Sequence, residues 1–269
     1  MTLASILVHL DSNPRVAERL ALAARLAERT GARLTGLFAE TAEAHFVGVV
    51  AVWPSAKYTS AMEAARATFL AATSGLGERA TFIDANRGSE AEVVTRVTDI
   101  ARPFDLVILG QTEEGVAVPS KLPEHVITES GRPVLVVPFV GTYPDIGRRP
   151  LFAWSRSRGA ARALADARLV LVNDCEALVT EIGRPGEARD EFADLVIANL
   201  AAHKISARFQ YLVADDVEVM DTLLNACSDH AADLLAIGGF DSGSLALLGH
   251  GSGTRFILGH MTLPVLFSH

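Results

Sequence analysis

The sequence predicts an α/β protein made twice over: two tandem doubly wound sandwiches, each on a five-stranded, mostly parallel sheet. Three observations carry that prediction. Short apolar runs of strand length alternate with amphipathic segments of helical period along the 269 residues, as in a parallel sheet crossed over by helices. The order of elements then repeats, and a shift of 144 positions places Asp11 on Ser155 and the Gly31 turn on Cys175. Between the copies, Gly141, Gly147, Pro144, Pro150 and Asp145 break the pattern. The expected domains are residues 1–143 and 149–269.

In the first copy, Ile6 to Leu10 reads as a strand, and Asp11-Ser12-Asn13-Pro14 after it is helix-start chemistry. Val16, Leu20, Ala23 and Ala27 recur at helical spacing until Gly31 stops the helix. Leu34 to Ala39 is the second strand, and the less regular Glu40 to Thr59 leads into a helix over Ser60 to Ser74. Strand Ala80 to Asp84 precedes helix Ser89 to Ala101, with Val93, Val94, Val97 and Ile100 inward. Strand Asp105 to Leu109, helix Glu124 to Ser130 and strand Pro133 to Val137 complete the copy.

The second copy runs in the same order. Strand Leu151 to Trp154, helix Ser157 to Asn173 and strand Glu176 to Ile182 come first. A helix with Phe192, Leu195, Val196 and Leu200 inward follows, then strand Ala207 to Val213 and helix Val217 to His230. Strand Leu234 to Ile237, helix Ser252 to His260 and strand Pro264 to Phe267 close it. Two pieces match by eye: Asp105-Leu-Val-Ile-Leu-Gly110 with Asp233-Leu-Leu-Ala-Ile-Gly238, and Pro133-Val-Leu with Pro264-Val-Leu. A repeated β-α unit of this kind is the strongest signal in the chain.

Composition narrows the function classes. Hydrophobic residues make up 49% and charged residues 21%, and the net charge is −8. Phosphate-backbone binding needs a basic face, so nucleic acid is not an expected partner. Cys175 and Cys227 have no metal-ligand spacing around them and read as two buried thiols in a reduced compartment. His250, His260 and His269 are too irregularly spaced for a helical ligand pair, so no metal site is assigned. The start has no basic region ahead of its apolar run, and Phe46 to Trp53 is too short to span a bilayer. The expectation is a soluble, cytoplasmic protein with no membrane partner.

Three pieces carry a resemblance to a known family: the strand-plus-Asp opening at Ile6 to Asp11, the Asp-Leu-Val-Ile-Leu-Gly strand, and the Gly-Arg-Pro-Val-Leu-Val-Val-Pro ending at Gly131 to Pro138. The chain resembles the universal stress protein family in its tandem-domain form. The resemblance is weakest across Glu40 to Thr59. It implies the adenine nucleotide α-hydrolase-like fold and, in some members, ATP held by a loop written G-x2-G-x9-G-[ST]. It also implies pairing through the last strand, so that the two halves can form an intra-chain pseudo-dimer, with a homodimer as a further option.

The loop has a physical logic of its own. Glycines let backbone N–H groups approach phosphate oxygens, and the helix start behind them supplies partial positive charge. In the second copy Gly238-Gly239-Phe240-Asp241 is followed, nine residues on, by Gly251-Ser252-Gly253-Thr254. Only Asp241 departs from the spacing, standing where the second glycine belongs; a carboxylate there repels phosphate unless a cation such as Mg²⁺ bridges them. Ser155 departs too, where the family often has an acid. The candidate cofactor-binding residues are Ser155, Ile182, Gly238, Asp241, Gly251, Ser252, Gly253 and Thr254, with ATP and Mg²⁺ as the candidate cofactors. The opposing reading is that these glycines merely turn the chain into a short helix.

The first copy retains Asp11, but its loop reads Gln111-Thr112-Glu113-Glu114. It is expected to be structural, with Asp11 a helix N-cap rather than a ribose ligand and Glu113-Glu114 and Asp215-Asp216 solvated loop acids. Gly249 to Gly253 lacks the strand that a dinucleotide motif needs, and no G-x-S-x-G elbow occurs. No nucleophile, base or phosphate-gripping lysine is evident; the first basic residue after Gly238 is Arg255. The expected protein is a non-catalytic stress-response regulator that binds ATP or a related adenine nucleotide in its second domain, with slow incidental hydrolysis left open and an unknown protein partner. The alternative is a nucleotide-free interaction or scaffold protein with a lost site.

Overall fold

The computed structural model describes residues 2–42, 45–47, 50–52, 54–85, 88–113, 117–215, 218–240 and 252–269. The chain divides into two compact units, Met1–Pro144 and Asp145–His269. The first contains β1 (Ser5–Leu10), α1 (Val16–Thr30), β2 (Arg33–Phe38), β3 (His45–Val47), β4 (Val50–Val52), α2 (Ala56–Ala72), β5 (Ala80–Asp84), α3 (Glu90–Ala101), β6 (Leu106–Gly110), α4 (Leu122–Glu129) and β7 (Val134–Val137). The second contains β8 (Pro150–Trp154), α5 (Arg158–Asp166), β9 (Glu176–Gly183), α6 (Ala193–Ala202), β10 (Ser206–Val213), α7 (Val219–Asp229), β11 (Leu234–Gly238), α8 (Ser252–His260) and β12 (Val265–Ser268).

Within the first unit the strand order is β5-β2-β1-β6-β7, and within the second it is β10-β9-β8-β11-β12. All these neighbours are parallel. Parallel strands need helices over both faces, and their side chains are correspondingly buried on both sides. Ile6, Leu7, Val8 and Leu10 of β1 have no exposed surface, and nor do Leu106, Val107 and Ile108 of β6.

The acid that opens each matched segment has a structural task. Asp105 Oδ2 accepts from the Ala4 and Ser5 amides at 3.0 and 2.9 Å. In the second unit Asp233 accepts from the amides of Gly147, Arg148 and Arg149 at 3.1, 2.8 and 3.1 Å. Each carboxylate thus fastens the chain entering the first strand of its unit.

The structure moves three of the expected elements. Helix α2 begins at Ala56, ahead of the expected Ser60, because the Ser55 hydroxyl caps it by accepting from Tyr58 N at 3.2 Å. The antiparallel pair β3–β4 precedes it, within the stretch expected to be irregular. Helix α5 ends at Asp166, far short of Asn173; a 3-10 turn over Ala167–Leu169 follows, and Val172 N donates to Gly147 O at 3.1 Å. On α6 only Val196 and Leu200 of the four expected core residues point inward. Phe192 and Leu195 are 49% and 66% exposed, because the helix starts at Ala193 and buries the Ala193–Val196–Leu200 face. Cys175 and Cys227 are buried free thiols, with burial pushing Cys227 up to about 12. Among the described residues no helix is long and apolar enough to cross a membrane.

Candidate functional site

In an open parallel sheet a ligand sits beyond the carboxyl ends of the strands, where the strand order reverses. In the first unit that place is beside β1, between β2 and β6, and side chains fill it. Arg19, on the second turn of α1, is 4% exposed. Its Nη2 donates to Asp11 Oδ2 at 2.9 Å and its Nε to the His9 carbonyl at 2.8 Å. The guanidinium lies against Gly110, where any Cβ would overlap Nη1; glycine at the end of β6 makes room for an arginine. His9 Nε2 donates to the Ala39 carbonyl at 2.7 Å. The Ser12 amide and hydroxyl both donate to the buried Glu40, at 3.0 and 2.7 Å. A cavity of about 20 Å³ remains, room for little more than a water molecule.

The charges inside this cluster hold one another. Burial alone would raise the Asp11 carboxyl, but Arg19, His9 and the hydrogen bonds from Asn13 and Arg19 outweigh it and keep the group below its ordinary value. Burial pushes His9 down, with Asp11 and the Ala39 carbonyl opposing and Arg19 assisting, so the ring is neutral near pH 7. Asp11 is therefore not the helix N-cap that its position suggested. Helix α1 starts after Arg15, which makes no side-chain cap. Asp11 Oδ1 accepts from Asn13 N at 3.0 Å, and Asn13 Oδ1 accepts from Arg15 N at 2.8 Å; the turn passes to Asn13 while Asp11 is drawn to Arg19. Glu113 is likewise no solvated loop acid, since Asn13 Nδ2 donates to it at 2.7 Å.

The second unit differs at each of these positions. Ile6 faces Leu106 in the first sheet and Pro150 faces Leu234 in the second, which aligns the two first strands. Ser155 then stands where Asp11 does, and Ala163, 1% exposed, stands where Arg19 does. Ser155 Oγ donates to Ser157 Oγ at 3.1 Å, and Ser157 caps α5 by accepting from Ala160 N at 3.1 Å. A cavity of about 660 Å³ lies beyond the ends of β8 and β9. Its lining includes Trp154, Ser155, Arg156, Glu181, Ile182 and Arg189.

One wall of this cavity is the segment from Glu187 to Glu191, held through Asp190. The Asp190 side chain is fully buried. It accepts from Trp154 Nε1 at 2.9 Å and from Phe192 N at 3.0 Å, while its own amide donates to Glu181 Oε2 at 2.9 Å. Burial would raise the Asp190 carboxyl, but the bonds from Trp154 and Phe192, with Arg156 and Arg189, hold it below its ordinary value. Burial pushes Glu181 up, and the neighbouring Asp190 charge adds to that, against the Asp190 amide and the two arginines.

Comparison with known proteins gives a consistent result at the level of fold. No protein-family model matches the sequence, and no curated protein matches it in sequence. Solved structures do match. A universal stress protein from Archaeoglobus fulgidus DSM 4304 superposes with a TM-score of 0.72 at 17% identity, covering 98% of this chain and 95% of that one. The fold is that of the universal stress proteins. A functionally unknown protein from Pseudomonas aeruginosa PAO1 has a TM-score of 0.63 at 13% identity, covering 99% of this chain and 92% of that one. A candidate universal stress protein from Pseudomonas aeruginosa UCBPP-PA14 has a TM-score of 0.60 at 13% identity, covering 99% and 93%.

Of the residues expected to bind, this universal stress protein fold brings Ser155 and Ile182 together in the cavity lining. Gly238 ends β11 directly under the first turn of α5, where a Cβ would come within 2.7 Å of the Gly159 carbonyl carbon. Thr254 is 6% exposed, and its hydroxyl accepts from Phe240 N at 2.9 Å. Gly253 faces Met220, which a Cβ would approach to 3.1 Å. His269 Nδ1 donates to the Gly239 carbonyl at 2.9 Å, a tethering role rather than a ligating one. Asp241 and Gly251 lie outside the described residues, and Ser252 is described only as the first residue of α8. Sequence reasoning missed Arg19, His9, Trp154, Glu181 and the Glu187 to Glu191 wall. A signal for one was present: an arginine in the inward stripe of α1, with alanine 144 positions on.

Proposed function

We propose that the chain is a cytoplasmic stress-response regulatory protein that binds ATP or a related adenine nucleotide in its second unit. The observation that carries this reading is the cavity of about 660 Å³ at the carboxyl ends of β8 and β9, with Ser155 and Ile182 in its lining. Small-molecule sites commonly enclose about 300–1,000 Å³. On this reading the base and sugar would rest near Ser155 and Ile182, and the residues selected by the loop spacing, Gly238, Gly251, Ser252, Gly253 and Thr254, would take the phosphates, with Mg²⁺ offsetting the Asp241 charge. The universal stress protein fold and the loop spacing support the same assignment. No residue is given a catalytic role.

A scaffold reading has two observations in its favour: the cavity also carries Glu181, Glu187 and Glu191, and the Thr254 hydroxyl is already committed to Phe240. Calorimetric titration with ATP, with and without magnesium, separates the two. The wild type should bind in a magnesium-dependent manner, and Asp241→Gly should bind about tenfold tighter, since relief of about 1.4 kcal/mol is a tenfold change. Gly251→Val should bind more weakly, because a β-branched side chain blocks backbone approach. Absence of heat in all three proteins would leave the scaffold reading standing.

A further inference from the structure

We infer that Glu181 reads the sugar of the bound nucleotide: its carboxylate accepts from the ribose 2′- and 3′-hydroxyls, so the second unit prefers ribonucleotides to their 2′-deoxy counterparts. The inference rests on the nucleotide reading of this cavity and adds to it a residue and a selectivity. Trp154 of β8 and Glu181 of β9 are direct partners in the sheet, and partners in register project from the same face of the pleat. Asp190 ties the two together, accepting from Trp154 Nε1 at 2.9 Å while its own amide donates to Glu181 Oε2 at 2.9 Å. Glu181 therefore stands in the cavity lining beside Ser155 and Ile182, each one residue on from a member of that pair.

The other charged groups of the lining are already committed. Glu187 Oε2 accepts from Arg184 N at 2.9 Å, and its Oε1 lies 3.8 Å from Arg184 Nη1. Arg156 faces Asp190 and Glu191, both at 3.9 Å. Arg189 is paired with Asp194 at 2.5 Å, with its guanidinium over the Phe209 ring. Tyr211, the partner of Glu181 on β10, directs its hydroxyl to the Glu187 carbonyl at 2.8 Å. Glu181 is left with Oε2 on the Asp190 amide, and with no hydrogen bond to Oε1 and no ion pair among the described residues. A carboxylate only accepts, so that oxygen suits an O–H or N–H brought by a ligand. In doubly wound sheets that bind dinucleotides, an acidic side chain accepts from a ribose hydroxyl in this way. A vicinal diol offers two such donors to one carboxylate, whereas adenine offers a single exocyclic amine. Burial and the neighbouring Asp190 charge push the Glu181 carboxyl up, and two hydroxyl donors offset that penalty on its charged form.

Calorimetric titration of the full chain with ATP and with 2′-deoxy-ATP, both with magnesium, tests this without any variant. The wild type should bind ATP about tenfold tighter or more, because the lost hydroxyl takes with it a hydrogen bond to a charged group. Glu181→Gln keeps a carbonyl oxygen for the Asp190 amide, so the cavity wall is preserved, but it puts an NH₂ donor in place of the free acceptor. That variant should bind ATP more weakly and 2′-deoxy-ATP about as the wild type does, with the preference between them largely abolished. Equal affinity of the wild type for the two nucleotides would overturn the inference and leave the nucleotide reading intact. An equal loss for both nucleotides in Glu181→Gln would also overturn it, since Glu181 would then serve only to hold the wall. Failure of the wild type to bind ATP at all would overturn the nucleotide reading, and this inference with it.

Discussion

A guanidinium at 4% exposure stays in place only while its partners are charged or accepting, and Arg19 has one of each in Asp11 and the His9 carbonyl. Removing one member of a buried pair leaves the other uncompensated, which costs about 3–5 kcal/mol. Arg19→Ala should therefore destabilise the first unit by that order in denaturant unfolding, and Asp11→Ala should do likewise. The double variant should lose clearly less than the sum of the single losses, because neither charge is then stranded. Strict additivity would show that the pair does not act as a unit. The same experiment tests why the first unit is closed: it should bind no nucleotide while Arg19 stands over Gly110.

At the scale of elements, what the sequence disclosed and what it hid divide along physical lines. Parallel strands buried on both faces are continuous apolar runs, and Ile6 to Leu10 or Leu234 to Ile237 could be read directly. Helix α6 could not be phased, since Ala-Asp-Leu-Val-Ile-Ala-Asn-Leu-Ala-Ala is apolar nearly all round and tertiary packing chose the buried side. In the site, Ser155 and Ile182 were legible from the order of elements, because strand ends define the crevice. The cavity wall was not legible: Asp190 is tied to Trp154, 36 residues away in sequence, by contacts that leave no periodic trace. That wall gives a prediction. The chain has two tryptophans, so a Trp53→Phe background leaves Trp154 as the sole emitter. Nucleotide with magnesium should change its fluorescence, and Asp190→Ala should shift emission to the red and weaken binding together. A Trp154 signal that never responds to nucleotide at saturating concentration would place the ligand elsewhere.

For the whole molecule, the two units share a sensitivity to acid that follows from buried histidines. Burial lowers His9 in the first unit and His230 in the second, each against the pull of its hydrogen-bonded carbonyl and with nearby arginines assisting. A histidine whose folded value lies below its unfolded 6.5 binds its proton more readily in the unfolded chain. Stability is therefore complete above about pH 6.5 and falls as pH drops toward the lowered folded values. Asp11 and Asp190 are held below 3.8 in the fold, so their contributions persist through that window and fade only under stronger acid. Glu181 runs the other way: raised above 4.5, it returns some stability to the second unit as it is protonated near that value. Thermal melting from pH 8 to pH 5 should show the melting temperature level at first and declining below about pH 6.5. His9→Gln keeps a donor for the Ala39 carbonyl and removes the titrating ring, so it should flatten the decline assigned to the first unit. His230→Gln should do so for the second, and the double variant should flatten both. A wild type whose melting temperature stays constant down to pH 5, or a double variant with the wild-type slope, would mean that these two rings do not set the acid response.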